Sequence, residues 1–347
     1  TFKLLPGHFA RFRKGSLAVK PYWTLPDPQG RVPVPVQREE DALEELDRLL
    51  TNSVSDRLIS DVPLGGLLSG GIDSSIVAAL MQKASNVPVK TFSIGFNEPG
   101  FNEAPWAAKV AEHLKTDHTA FYVTPRDALA VIPRLPEIYD EPFADSSAVP
   151  TFLVSKLARS RVTVALSGDG GDEQFAGYVR YWSTRAMAEA FERLPVRFRN
   201  PLGSVLEKIP VSWIERCYMP WRGSLPQRFN VANFRERWRE LVRLMRGGSV
   251  EALYRMTIHL WPKEMLPTLL QRTLVASQYE ETFQNTEGWP ILSRLMRVDQ
   301  KTYLPDAMLA KVDRASMAES LEVRVPLLDH RVVEFTSLLP DHLKYRG

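Results

Sequence analysis

The chain has 347 residues, 44% of them hydrophobic and 24% charged, with a formal net charge of +3 at pH 7. That is an ordinary globular balance: no apolar run reaches the ~20 residues a membrane-crossing helix needs, and no signal-peptide pattern opens the chain. The single cysteine, Cys217, excludes an intrachain disulfide and a cysteine-based zinc site. It sits in no nucleophile motif and is expected to be an inert thiol in a reducing, cytoplasmic compartment.

Residues 1–38 read as an irregular linker, punctuated by Pro21, Pro26, Pro28, Pro33 and Pro35. From Glu39 the positions Leu43, Leu46, Leu50, Val54 and Leu58 fall three or four apart, the apolar stripe of an amphipathic helix. An alternating pattern follows: strand 62–68, helix 73–84, strand 89–96, helix 103–114, strand 118–123, helix 126–138, helix 146–160 and strand 162–167. Short β-rich runs alternating with helices predict an α/β fold with a parallel, doubly wound sheet. Ligands of such sheets bind at the carboxyl ends of strands, where Ser69, Gly95 and Ser167 fall. Residues 176–300 carry no strand pattern and are rich in Arg, Leu, Trp and Phe, so they read as a large helical elaboration. Their arginines interleave with acids, as in Arg235-Glu236-Arg237-Trp238-Arg239-Glu240, the mark of a solvated helix face. With no compact basic tract or RNA-binding motif, nucleic acid is not an expected partner.

Three segments carry chemistry. Ser69-Gly70-Gly71-Ile72-Asp73-Ser74-Ser75 joins the apolar run ending at Leu68 to Ile76-Val77-Ala78-Ala79-Leu80-Met81, in the order strand, tight turn, helix. Gly70 and Gly71 let the backbone approach a ligand closely; Ser69, Ser74 and Ser75 offer hydroxyls, and the N–H groups at the helix start suit a phosphate. Asp73 would repel that phosphate unless a cation lay between them, which points to Mg²⁺. The plain alternative is a glycine turn with an acid near a helix start. No G-x-x-x-x-G-K-[ST] occurs, so this is not a Walker A loop. The run resembles the PP-loop of ATP pyrophosphatases. That resemblance implies a fold of the adenine nucleotide alpha-hydrolase type and cleavage between the α- and β-phosphates of ATP, with pyrophosphate released.

The second segment is Ser167-Gly168-Asp169-Gly170-Gly171-Asp172-Glu173. Three carboxylates in so short a turn are costly to hold without a metal or a substrate ammonium; alternatively, Asp172 and Glu173 simply favour the start of the next helix. Both turns are expected to open on the same edge of the sheet. The third segment runs from Tyr303 to Met317, where Lys311, Asp313 and Arg314 interrupt an apolar helix. Helical ion pairs account for them, with Glu322 and Arg324 likewise paired; or Lys311 or Arg314 faces the nucleotide phosphates or a substrate carboxylate. Asp169, Lys311 and Arg314 are the catalytic candidates.

Taken together, S-G-G-I-D-S-S, T-F-S-I-G-F, Y-D-E-P-F-A-D-S-S-A-V-P-T (139–151), S-G-D-G-G-D-E and L-A-K-V-D-R-A-S-M…L-E-V-R-V-P-L-L-D resemble the synthetase domain of glutamine-dependent asparagine synthetases, over most of residues 39–347. L-P-G-H-F-A-R-F near the start resembles the tail of that family's glutaminase domain. The resemblance implies that Ser69 to Ser75 hold pyrophosphate and that Asp73 and Asp172 hold Mg²⁺. It implies that Leu67, Ile94 and Gly168 contact the adenosine, with Ser167 in the same nucleotide set. Asp169 stands at the acidic position that contacts substrate or intermediate; related β-lactam-forming enzymes carry an aromatic residue there, so Asp169 favours amide formation. The implied reaction is ATP-dependent conversion of aspartate, or a similar acid, to its amide through a β-aspartyl-AMP intermediate, with ammonia from a glutaminase domain. The family's amino-terminal cysteine and the lysine that follows its counterpart of Leu343-Lys344-Tyr345-Arg346-Gly347 have no match here. The expectation is a piece of a longer protein: 1–38 a tail, 39–347 a synthetase domain truncated at its end and weak in turnover. A synthetase for another acid, a tRNA-modifying PP-loop protein, a silent nucleotide-binding module and a homodimer stay open.

Overall fold

Residues 8–21 form a β-hairpin, where the prolines predict an irregular linker. In the computed structural model, which describes residues 3–27, 38–97, 102–193, 196–218, 220, 238, 242, 245, 249–259, 265–270 and 277–346, β1 (His8–Arg13) pairs antiparallel with β2 (Ser16–Pro21). Lys14 and Gly15 join them at φ 49° and 78°, the two left-handed residues that a two-residue hairpin turn needs. Between Pro6 and the last residue of β2, Pro21, there is no proline, and Pro28, Pro33 and Pro35 lie outside the described residues.

Helix α1 (Glu39–Arg57) opens on three acids and ends on Arg57, matching its dipole at both ends. Its inward face is Ala42, Leu49, Leu50, Ser53 and Val54, with Leu46 and Leu58 packed at the margin. Leu43, placed in the stripe by its spacing, is 57% exposed. The true stripe runs through a small and a polar residue that hydropathy does not score. Ser53 donates to the Pro326 carbonyl at 2.7 Å, and Arg57 donates to Asp329 at 3.0 Å. These bonds tie α1 to the segment that precedes the helix His330–Leu338.

The parallel sheet has five strands: β3 (Leu64–Leu67), β4 (Lys90–Phe96), β5 (Asp117–Val123), β6 (Val164–Leu166) and β7 (Glu322–Arg324), in the spatial order β5-β4-β3-β6-β7. Every pairing is parallel. Helices α2 (Ile72–Lys83) and α3 (Ala104–Leu114) lie on one face, where Val77 and Met81 pack with Leu166, and Ala78 with Ala107. The other face is covered by α6 (Ala148–Arg159), where Ala158 and Val162 pack with Phe92 and Ala165. Adjacent residues Ala165 and Leu166 thus serve opposite cores, as a strand buried on both faces requires. The doubly wound α/β architecture is as predicted.

Two boundaries differ from the sequence pattern for local reasons. The predicted helix 126–138 is broken into α4 (Pro125–Val131), a 3₁₀ turn Ile132–Arg134 and α5 (Leu135–Tyr139), because Pro133 and Pro136 cannot continue the backbone ladder. Glu322 and Arg324 pair at 2.6 Å, but from strand β7 rather than from a helix.

The chain divides into two compact units, Thr1–Gly177 with Asp299–Arg346, and Tyr178–Val298. Among its described residues the second unit has helices and no strand. Its core stacks Tyr181 on Tyr254 at 6.1 Å, and sets Tyr279 against Phe283 at 5.0 Å. Arg255 there pairs with Glu251 at 2.7 Å and Glu280 at 2.8 Å. Among the described residues, no helix is long and apolar enough to cross a membrane.

Candidate functional site

Strand order reverses at β3: the chain leaves it for β4 on one side and returns as β6 on the other. The connections diverge there and leave a crevice at the carboxyl edge. Two glycine turns fill that edge, one from β3 into α2 and one from β6 into α7 (Gly171–Phe175). Gly70 has φ 85°, and a Cβ on it would fall 2.5 Å from the Ala107 nitrogen; both facts reserve the position for glycine. Gly168 packs so closely on the start of α2 that a Cβ would lie 2.6 Å from the Ser74 nitrogen. A Cβ on Gly171 would collide with the Asp73 carboxylate. The two turns open on the same edge of the sheet, as expected, and they also interlock.

The first turn is organised by its own hydroxyls. Ser69 and Ser74 share a hydrogen bond at 2.9 Å, Gly71 N–H donates to the Ser69 hydroxyl, and the Ser75 hydroxyl donates to the Gly71 carbonyl at 2.7 Å. No side chain caps the N-terminus of α2, so its first-turn N–H groups are not claimed by a capping residue.

A cavity of about 600 Å³ opens between the turns. Its lining combines apolar side chains, among them Leu67, Phe92, Ile94 and Val154, with polar and charged ones, among them Ser69, Asp73, Ser74, Asp169, Asp172 and Lys311. Ser167, Gly71 and Gly168 also line it. Of the predicted nucleotide set, Gly70 and Ser75 are not among the lining residues: Gly70 packs against α3, and the Ser75 hydroxyl turns back to the backbone.

Electrostatics mark the acids of the lining. Burial first, then the charges of Asp172 and Asp169, pushes the Asp73 carboxyl up to about 6. Burial also raises Asp169, opposed by the Ser167 hydroxyl, which donates to it at 2.8 Å, and by the charge of Lys311. Three acids at one spot resist ionising together, and an added cation relieves them. Among the described residues no three His, Cys, Asp or Glu side chains form a complete metal cage. Asp73 and Asp172, two carboxylates lining one cavity, are a donor set that suits Mg²⁺, which keeps waters and substrate phosphates as its other ligands.

Lys311 lies on the helix Ala310–Met317, directly after a π-helical turn Leu304–Leu309. It is 7% exposed, and its Nζ donates to Ser147 at 2.8 Å and faces Asp145 at 3.3 Å. Arg314, on the same helix, does not line the cavity; it is half exposed and pairs with Asp140 at 2.5 Å. Both partners come from the loop between α5 and α6, not from the helix itself, so the ion pairs are tertiary rather than helical. Asp145 and Ser147 were not among the sequence candidates, nor were Glu103 and Thr151, which line the cavity. Segment 139–151 stands out as a motif, but no spacing rule links it to Lys311.

A family model described as Asparagine synthase matches residues 45–347. The glutamine-hydrolyzing asparagine synthetase 1 of Bacillus subtilis (strain 168) is 32% identical over 314 residues, covering 90% of this chain and 46% of that protein. Asparagine synthetase 3 of the same organism is 25% identical over 367 residues, covering 99% and 49%. Asparagine synthetase B of Escherichia coli (strain K12) is 35% identical over 154 residues, covering 40% and 27%. The chain spans about half the length, or less, of these curated relatives. Because the family match takes in every strand of the five-stranded sheet and both turns at its edge, the chain belongs to the asparagine synthase family.

Proposed function

We propose that this domain activates the side-chain carboxylate of aspartate, or of a similar amino acid, with ATP and passes the acyl group to ammonia. The observation that carries the reading is the meeting of the serine turn with the acidic turn at one cavity, where burial and then the charges of Asp172 and Asp169 push the Asp73 carboxyl up to about 6. The apolar lining residues Leu67 and Ile94 suit the adenine; the uncapped start of α2 and the hydroxyls of Ser69 and Ser74 suit pyrophosphate. Asp73 and Asp172 would hold Mg²⁺, which when bound offsets the charge of the phosphates.

In the first step a carboxylate oxygen of the acid attacks the α-phosphorus, and the bond from that phosphorus to the bridging oxygen breaks. The leaving pyrophosphate takes the electron pair and stays against the serine turn. The Lys311 ammonium offsets negative charge beside Asp169. In the second step ammonia attacks the acyl carbon, AMP leaves, and a proton passes to solvent. The chain's part is positioning and charge stabilisation in a preformed site. The longer relatives are named as glutamine-hydrolyzing; ammonia from a glutaminase partner is part of the same proposal for this chain. So is a cytoplasmic setting, where ATP is at hand.

The test is ATP–pyrophosphate exchange with a panel of acids, alongside calorimetric binding of Mg·ATP. Exchange that depends on aspartate is the expected result. Exchange with another acid alone replaces the substrate and keeps the chemistry. Absence of both nucleotide binding and exchange rejects the reading.

A further inference from the structure

The grip on Lys311 is more elaborate than an ion pair requires. Asp145 accepts hydrogen bonds from the Ser147 amide at 2.8 Å and from the Ser147 hydroxyl at 2.6 Å. With its proton given to Asp145, the Ser147 oxygen is left to accept from the Lys311 ammonium at 2.8 Å. A lysine has three donors; Ser147 and Asp145 take two, and the Met308 sulfur sits at 3.5 Å. The backbone is held too: the Tyr139 hydroxyl donates to the Lys311 carbonyl at 3.3 Å, and Tyr139 stacks on Phe143 at 4.4 Å. Arg314 clamps the same loop from outside through Asp140. Although burial works against it, the Ser147 hydrogen bonds and the charge of Lys311 keep Asp145 below the usual carboxylate range.

We infer that Asp145, acting with Ser147, is a positioning residue: it fixes the Lys311 ammonium at the cavity wall beside Asp169, so that the lysine meets the reacting acid or phosphate in one orientation. The inference rests on the reading of Lys311 given above. Its signature differs from that of a charge effect. Removing the negative charge of Asp145 leaves Lys311 less neutralised, which by charge alone tightens the binding of an anion. Loss of positioning instead slows the reaction without weakening ATP.

Two measurements test it on the whole chain. The first is NMR of nitrogen-labelled lysine ammonium groups without ligand. One ammonium, identified by its absence in Lys311→Met, is expected to exchange hydrogen at least about tenfold more slowly than exposed lysines, as a charge-assisted bond requires. Asp145→Asn is expected to release it, Ser147→Ala to do so in part, and Asp145→Glu to retain it in part. The second is aspartate-dependent exchange, in which Asp145→Asn is expected to lower kcat about tenfold with KM for ATP unchanged or lower. A Lys311 ammonium that exchanges as fast as exposed lysines overturns the inference, and so does a kcat for Asp145→Asn within about twofold of the parent. A rise in KM for ATP together with a fall in melting temperature for both Asp145→Asn and Ser147→Ala overturns it in favour of a structural role. If the parent protein binds and exchanges nothing, the adenylation reading fails, and the ammonium spectrum alone decides whether Asp145 sets Lys311.

Discussion

The turn after β3 and the turn after β6 leave neighbouring strands at one edge of the sheet, and each carries a left-handed glycine, Gly70 at φ 85° and Gly170 at φ 88°. Beyond that they are opposites. The first opens a helix of 12 residues and presents hydroxyls and backbone donors; the second opens a helix of 5 residues and presents acids. A long helix brings an appreciable dipole to its start, and a one-turn helix does not. The first turn can therefore attract an anion with backbone alone, whereas the second must act through its side chains. Asp73 is the exception that joins them: it grows from the donor turn but faces the acidic one, and the glycine at 171 exists to admit it.

The sharpest way to break this pairing is Gly168→Ala. The added methyl would sit 2.6 Å from the Ser74 nitrogen and 2.8 Å from the Asp73 carbonyl carbon, both backbone atoms of α2 that cannot swing aside. A loss of about 2 kcal/mol of stability, together with loss of Mg·ATP binding, is expected from forcing the turns apart. Unchanged melting and binding would mean that the turns do not depend on each other.

Asp73→Asn tests the charge half of the comparison. In cation-free buffer the folded chain keeps the Asp73 proton between 3.8 and about 6, where the unfolded chain has lost it. The folded state then binds more protons, so stability falls as pH rises through that window. Asparagine removes the effect: at pH above 6 the variant is expected to be the more stable one. The gain is on the order of 1 kcal/mol, after discounting for solvent at a partly exposed group. Thermal melts of both proteins across the window should diverge as pH rises; parallel curves would contradict the burial of Asp73 and its crowding by Asp172 and Asp169. The third variant, Ser69→Ala, removes a single hydroxyl from a turn whose backbone donors remain. About 1 kcal/mol, or roughly fivefold in Mg·ATP affinity, is expected by calorimetry.

The parts of the molecule readable in the sequence are those whose causes are local. Both turns combine glycine with a dense run of polar residues between a strand and a helix, so their position and their shared edge follow from pattern and from the winding of the sheet. The hairpin escaped because composition averages over residues 1–38, while the deciding signal is only Lys14-Gly15 between the short runs His8–Arg13 and Ser16–Pro21. Leu43 was misplaced because a helix face is chosen by packing, and Ala42 and Ser53 fit inward better than spacing suggests. Lys311 and Arg314 are three residues apart and look alike in sequence, yet one is buried at the cavity and the other half exposed beside Asp140. Only the tertiary arrival of the loop carrying Asp140 and Asp145 separates them.

The outermost strand has a consequence for how the molecule is made. β7 pairs with β6, and the helix His330–Leu338 covers the same side as α1 and α2. Between β6 and β7 the chain first traverses Tyr178–Val298. During synthesis, β3 to β6 thus emerge well before the strand that closes their edge and the lysine that completes their cavity. The nascent sheet waits with β6 uncovered, a long-range closure of the kind that folds slowly and exposes an unpaired edge. Ligand contacts confined to the serine turn and β4 can assemble early, while the complete charged wall comes last.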